Sequence, residues 1–139
     1  MAIQLNISAK IAETPAEDQP TVHYMPCRIK SDGPANVSSY FKPIPLESDP
    51  KYKKASFRGR PLLGKDIVMP SGYKGLVVQE TKQPLVENID RTLHVSHVFD
   101  KITYWNWDKM PSANDAFISA LDWIDIAEAI HAPVDSSKD

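Results

Sequence analysis

The sequence predicts a mainly β fold: a small barrel of short strands, followed by a C-terminal helix or two short helices. Three observations predict it. Apolar residues alternate at period two in several stretches between residues 21 and 107, as strands with one covered face require. After Met110-Pro111 the period becomes helical. Twelve prolines against five glycines divide the chain into short pieces. That many prolines exclude a long-helix or coiled-coil protein, since each costs about 3 kcal/mol inside a helix. The 139 residues suit one such fold.

Along the chain, residues 1–20 read as a flexible N-terminal segment, because IAETPAEDQP at 11–20 is rich in Pro, Glu, Asp and Gln. Ile3, Leu5 and Ile7 alternate before it and allow a short strand. The barrel is expected over residues 21–111. Residues 21–30 form its first strand, with Met25, Cys27 and Ile29 on one face. Pro26 offers no ladder donor, which makes this an edge strand or a bulged one. Asp32-Gly33-Pro34 is a turn, residues 37–41 a brief strand, and residues 42–50, with three prolines, a loop. Residues 52–63 alternate so that Lys54, Ser56, Arg58 and Arg60 share one face and Ala55, Phe57 and Gly59 the other. Strands follow at 65–69 and 75–81 around a Pro70-Ser71-Gly72 turn, then a polar loop at 82–90. Residues 91–107 are a long strand region with apolar residues in both parities. Leu93, Val95, Phe99, Trp105 and Trp107 are odd; Val98, Ile102 and Tyr104 are even. Either a bulge shifts the phase or both faces are covered. About six strands result, with exposed edges that a partner would complete.

The helical region spans residues 112–133, and 134–139 form a flexible tail. Ser112 is read as the N-cap with Asp115 at N3, the helix runs over 113–131 with a break near Asp122 allowed, and Pro133 stops it. On a helical wheel Phe117, Ala120, Leu121, Trp123, Ile124, Ala127 and Ile130 cover about 180°, wider than the roughly 100° that one supporting surface needs. Asp115, Ser119, Asp122 and Asp125 lie opposite, with Ile118 and Ile126 among them. Two supporting surfaces are therefore expected, either both from this chain or one from a partner.

The chemistry is mostly exclusion. With 16 Lys+Arg against 18 Asp+Glu the net charge is -2, which speaks against global affinity for nucleic acid and leaves local patches open. One cysteine excludes an internal disulfide and a cysteine-rich zinc site. Cys27, beside Met25 and Ile29, reads as a buried structural thiol. There is no glycine-rich phosphate loop, nucleophile elbow or zinc-binding helix motif. His94 and His97, three apart on a strand, point to opposite faces unless a bulge intervenes. Asp100 is the only acid placed well inside a strand; Asp90, Asp108 and Asp32 do not pair with it by spacing, so no two-metal carboxylate set is expected. No apolar run approaches the ~20 residues of a bilayer span. The first ten residues lack a secretory core. A soluble intracellular domain without membrane contact is the expectation. The one concentrated charge is at residues 51–65, where Lys51, Lys53, Lys54, Arg58, Arg60 and Lys65 occur with no acid. Lys54, Arg58 and Arg60 are the candidate nucleic-acid contact; a solvated edge that repels pairing is the alternative.

Several segments, taken in order, resemble the non-catalytic accessory C subunit of the eukaryotic type 2 ribonuclease H complex. They are Met25-Pro26-Cys27; Asp32-Gly33-Pro34-Ala35; Ser56-Phe57-Arg58-Gly59-Arg60 with Gly64; and Pro70-Ser71-Gly72-Tyr73-Lys74-Gly75. Toward the end come Phe99 through Trp105, Ala120-Leu121 with Trp123, and Ala129-Ile130-His131-Ala132 with Val134. The set covers residues 21–134; the loop at 82–90 is shorter than in longer members, and the first twenty residues carry no resemblance. The resemblance implies a chain that is not itself an enzyme. It would interweave with an accessory B subunit in shared β-barrels, support a catalytic A subunit, and work in the nucleus. That complex cleaves RNA in RNA–DNA hybrids and ribonucleotides embedded in DNA, with the carboxylates and Mg²⁺ in the A subunit and no cofactor in this chain. Phe117, Leu121, Trp123, Ile124, Ile130 and Trp105 are the partner-binding candidates.

Overall fold

A computed structural model describes residues 2–80 and 90–133. The tail expected at 134–139 and all but Asp90 of the loop expected at 82–90 lie outside the described residues. In chain order the elements are β1 (Ile3–Asn6), α1 (Ala9–Ala12), a 3-10 turn (Ala16–Asp18), β2 (Val22–Tyr24), α2 (Val37–Tyr40), β3 (Ile44–Pro45), β4 (Tyr52–Phe57), β5 (Arg60–Val68), β6 (Gly75–Glu80), β7 (Arg91–Phe99), β8 (Lys101–Trp107) and α3 (Ala116–His131). The fold is mainly β with a C-terminal helix, as the patterning predicts. Among the described residues no helix is long and apolar enough to cross a membrane.

The strands form two sheets, in the orders β1-β7-β6 and β2-β8-β5-β4-β3. The long apolar region at 91–107 supplies the central strand of one sheet and an inner strand of the other. Asp100 is the step between them rather than a residue within a strand. Its backbone N donates to Gln19 Oε1 at 2.8 Å, its Oδ2 accepts from Gln19 Nε2 at 2.7 Å, and its carbonyl accepts from Met69 N at 2.8 Å. The segment read as a flexible lead-in therefore has fixed partners. β1 pairs in parallel with β7, and Ala2 N donates to Asp90 Oδ1 at 2.8 Å. The Ser8 hydroxyl caps α1 through Ile11 N at 3.4 Å.

Both explanations for the mixed parity at 91–107 hold, each in its own strand. In β7 the register shifts so that Val77 faces His97 and Val78 faces Val95, leaving Ser96 as the extra residue of a bulge. Ser96 Oγ bonds Val77 O at 3.2 Å. The bulge explains why Val95 and Val98, of opposite parity, are both buried. It also turns His94 and His97 to one face, where both are exposed. Among the described residues no three His, Cys, Asp or Glu side chains cluster as metal ligands. In β8 both faces are covered: Ile102, Thr103, Tyr104 and Trp105 are buried in succession.

Four local expectations need correction. The first barrel strand stops at Tyr24, not Lys30, because Pro26 cannot donate; it is, as read, at the edge of its sheet. Cys27, beyond that strand's end, is exposed rather than a buried thiol. Residues 37–40 form a helical turn, α2, rather than a strand; Phe41 N closes it on Val37 O at 2.8 Å. Within the expected loop at 42–50, Ile44–Pro45 adds a two-residue strand, β3.

The core is small. Phe41, Leu62 and Trp105 form its centre, with Met25, Ala55, Phe57 and Trp107 packed against it. Trp105 stands opposite Gly64 across the β5–β8 ladder. A Cβ at that glycine would meet the indole at 2.5 Å, so the ring needs the missing side chain. Trp105 Nε1 donates to His23 Nδ1 at 3.1 Å, which puts the histidine's ring proton on Nε2. Among the described residues seven hydrophobic residues are buried, while sixteen large ones are exposed. More large hydrophobic side chains are thus exposed than buried, which is unusual for an isolated domain.

Candidate docking surface

α3 is a single unbroken helix, so the break allowed at Asp122 does not occur. It also starts three residues later than the sequence suggests, with Asp115 at the N-cap instead of N3. The Asp115 carboxylate points back along the chain. It accepts from Ser112 N at 3.1 Å, Ser112 Oγ at 3.3 Å and Asn106 Nδ2 at 2.7 Å, with Lys109 Nζ at 3.7 Å. The bond from Ser112 N, helped by Asn106 and Lys109, holds this carboxyl below its ordinary range against the opposing effect of burial. The helix start is thus tied to the end of β8.

Phe117 fixes its direction. Its ring stacks on Tyr24 of β2 at 4.5 Å between centroids and on Tyr104 of β8 at 5.5 Å, and the two tyrosines are 5.6 Å apart. Burial, and then the charge of Asp115, push the Tyr104 hydroxyl above its ordinary value. Phe117, Leu121 and Ile124, at helical spacing, are the half-buried stripe of α3.

Trp123 and Ile130 lie on a different face, with Ala120 and Ala127, and are 66% and 70% exposed. No residue of α3 is buried. Of the two readings of the wide apolar arc, the structure keeps one half for this chain and leaves the other uncovered. Trp105 does not belong with this surface. It is 0% exposed, in the chain's own core, because β8 lies between β2 and β5 and is covered on both faces.

The basic candidates do not share a face. β4 and β5 are a hairpin whose two-residue turn is Arg58-Gly59, with φ of 49° and 75°. Two successive positive φ values mark a type I′ turn, which reverses the chain where alternation read a continuous strand. Across the hairpin Lys54 faces Leu63, whereas Arg60 faces Phe57, so Lys54 and Arg60 are on opposite faces. Lys53 instead pairs with Asp66 at 2.8 Å. Burial pushes the Asp66 carboxyl up, but bonds from Lys53 and Thr103, with the charges of Lys53 and Lys101, hold it below its ordinary value.

The sequence profile of the ribonuclease H2 non-catalytic subunit (Ylr154p-like) matches residues 21–93 and 83–130. The chain belongs to this family. The matched stretch runs from β2 to Ile130, so it includes the core and both stripes of α3, and it leaves out β1 and α1. Among curated relatives, the ribonuclease H2 C subunit of Bos taurus is 30% identical over 136 residues, covering 82% of each chain. The ribonuclease H2 C subunit of Mus musculus is 29% identical over 136 residues, covering 81% of each. A protein of Schizosaccharomyces pombe called C12B10.15c is 31% identical over 118 residues, covering 76% of this chain and 79% of its own. For a ribonuclease H2 non-catalytic subunit, the chemically relevant surfaces are those offered to other molecules. Arg28 and Lys30, which sequence reasoning passed over, lie beside Arg58 and Arg60. Only the fold brings them together, because the segment after Pro26 is laid against the hairpin turn.

Proposed function

We propose that this chain is the accessory C subunit of a nuclear type 2 ribonuclease H complex, interweaving its sheets with an accessory B subunit and presenting α3 to the catalytic A subunit. The complex acts on RNA in RNA–DNA hybrids and on ribonucleotides embedded in DNA. The observation that carries this reading is the Trp123–Ile130 stripe: apolar, exposed, on a helix anchored at its first turn, and within the stretch shared with the family. An exposed Trp on a rigid element is the usual anchor of a protein contact. Ile3, Leu5, Leu76 and Val78 on the three-stranded sheet are also exposed, and they are the surface assigned to the B subunit.

Mg²⁺ and the reacting carboxylates are assigned to the A subunit. The two most heavily bonded carboxylates here fit that assignment, because their oxygens are committed within the chain. Asp66 is held by Lys53 and Thr103, and Asp115 by Ser112 and Asn106.

The test uses the purified B–C pair with Trp123→Ala or Ile130→Asp, with capture of the catalytic partner and thermal melting measured side by side. Capture should weaken by about thirty-fold or more, the effect of losing a hot-spot residue worth roughly 2 kcal/mol. Melting of the pair should match wild type. If the pair unfolds, or the catalytic partner stays bound, α3 is not the dock.

A further inference from the structure

Two separate stretches of chain bring four cations to one concavity of about 520 Å³. Arg28 and Lys30 come from the segment that follows β2; Arg58 and Arg60 come from the β4–β5 hairpin. Ser31 adds a hydroxyl, and Trp107 forms an aromatic wall. Among the described residues no carboxylate lines the cavity, although the chain as a whole is slightly acidic. Among the described residues, none of the four cations forms an ion pair. Four like charges converging without a counter-ion repel one another, and an anion relieves that repulsion.

The surroundings are built rather than incidental. Trp107 Nε1 donates to Pro26 O at 2.9 Å, which fixes the indole and ties the first stretch to β8, the sheet neighbour of β5. The Arg60 guanidinium lies 5.7 Å from the Trp107 ring centroid, stacked on the wall. Arg58 stands at φ 49°, a left-handed conformation that Asn or Gly adopts far more readily. The turn thus sets a basic side chain at the cavity in a backbone conformation unfavourable to it.

We propose that this concavity holds a phosphodiester of a nucleic-acid strand, so that the chain contributes its own contact to the substrate of the complex. The proposal rests on the reading of the chain as a ribonuclease H2 subunit. Three of the four cations are arginines, whose planar forks match phosphate oxygens in pairs. The aromatic wall suits the sugar and base that accompany a phosphate. Lys54, on the other face of the hairpin, is outside the site, which separates this assignment from a contact made by the basic run as a whole.

The experiment measures binding of a labelled RNA–DNA hybrid by the purified, fully assembled complex across a salt series. The variants are Arg28→Gln with Lys30→Gln, Arg58→Asn with Arg60→Gln, and Lys54→Gln as the control. Each double variant should weaken binding by about ten-fold near 0.1 M salt and lower the slope of log K against log salt by up to about two, roughly one per phosphate contact. Lys54→Gln should change neither. Arg58→Asn alone should leave the melting temperature of the complex unchanged or raised, since Asn tolerates the backbone conformation. Unchanged hybrid affinity and slope in both double variants overturns the proposal. So does occupancy of the site by a nucleoside monophosphate that does not compete with the hybrid. Loss of a protein partner with hybrid affinity intact overturns it too, by making the cations a protein contact, and leaves the reading of α3 untouched.

Discussion

Trp105 and Trp123 are the same residue type, eighteen positions apart in the chain, and the fold treats them in opposite ways. Trp105 is 0% exposed, opposite Gly64, with its indole N–H donating to His23. Trp123 is 66% exposed on a helix with no buried residue. Hydrophobicity does not distinguish the two elements, since β8 and α3 are both apolar. Access to covering surface does. β8 has β2 on one side and β5 on the other, with the Phe41–Leu62 cluster beneath it. α3 stacks Phe117 on two tyrosines and half-buries Leu121 and Ile124, but its Trp123–Ile130 face stays exposed. An apolar pattern marks a face as suited to burial, and the neighbouring elements of the fold decide whether this chain itself covers it.

The largest expected effect breaks that comparison in its stability form. Trp105→Ala should destabilise the B–C pair by about 3–5 kcal/mol, from the cavity and the lost packing. It also leaves His23 without its donor. Trp123→Ala in the same pair should change stability by less than about 0.5 kcal/mol, as an exposed substitution does. Denaturant melts of the two variants decide it. Equal losses would mean that α3 is part of the folding core and that the two tryptophans do one job.

The sequence showed the β-to-helix switch at Pro111, the edge position of the first barrel strand and the alternatives for residues 91–107, because each rests on a short-range period or a proline. What it missed depends on contacts distant in sequence. Arg58 was read into a continuous strand because type I′ turns are recognised by Asn or Gly, and only Gly59 gave that signal. Parallel pairing of β1 with β7 joins residues some ninety apart and leaves no local mark. Trp105 and Trp123 looked alike as partner anchors because burial is decided by neighbours. Arg28 and Lys30 sit among few other charges in sequence and become part of a basic cavity only when residues 27–31 fold against the hairpin. The wide apolar arc of the C-terminal helix was the most informative signal for the site, since its two halves have separate fates.

A smaller effect sharpens the core side of the comparison through pH. Burial, and then the charge of Lys53, hold His23 below its ordinary value, while Asp66 pulls it partly back. The unfolded chain, with this histidine near 6.5, takes up a proton before the folded chain does. The stability His23 contributes is therefore complete above about pH 6.5 and is lost as pH falls through that value toward the folded one. The low position of Asp66 has the same sign but acts below about pH 4, so the two windows are separate. His23→Gln keeps an acceptor for Trp105 Nε1 and removes the titration. Between pH 7 and 5 the melting temperature of the wild-type pair should fall more than that of His23→Gln. Parallel curves would show that the core does not sense this proton.

The smallest expected effect concerns Asp100, the one acid that the sequence placed well inside a strand. It stands at the step from β7 to β8, and its carboxylate accepts from Gln19 Nε2 at 2.7 Å. Two of the bonds that pin the step use its backbone, to Gln19 Oε1 and Met69 N, and survive any substitution that keeps the chain path. In Asp100→Asn the side-chain oxygen can still accept from Gln19, so the clasp between the N-terminal segment and the sheet should hold. Cleavage of an RNA–DNA hybrid by the assembled complex should stay within a few-fold of wild type. Removal of a carboxylate that binds a catalytic metal costs orders of magnitude, because the ions carry much of the charge stabilisation of phosphoryl transfer. The rate is therefore measured on complexes first checked for full assembly. A thousand-fold loss with normal assembly would place Asp100 in the chemistry and contradict a non-catalytic role for this chain, whereas a few-fold change leaves Asp100 with its clasp on Gln19 alone.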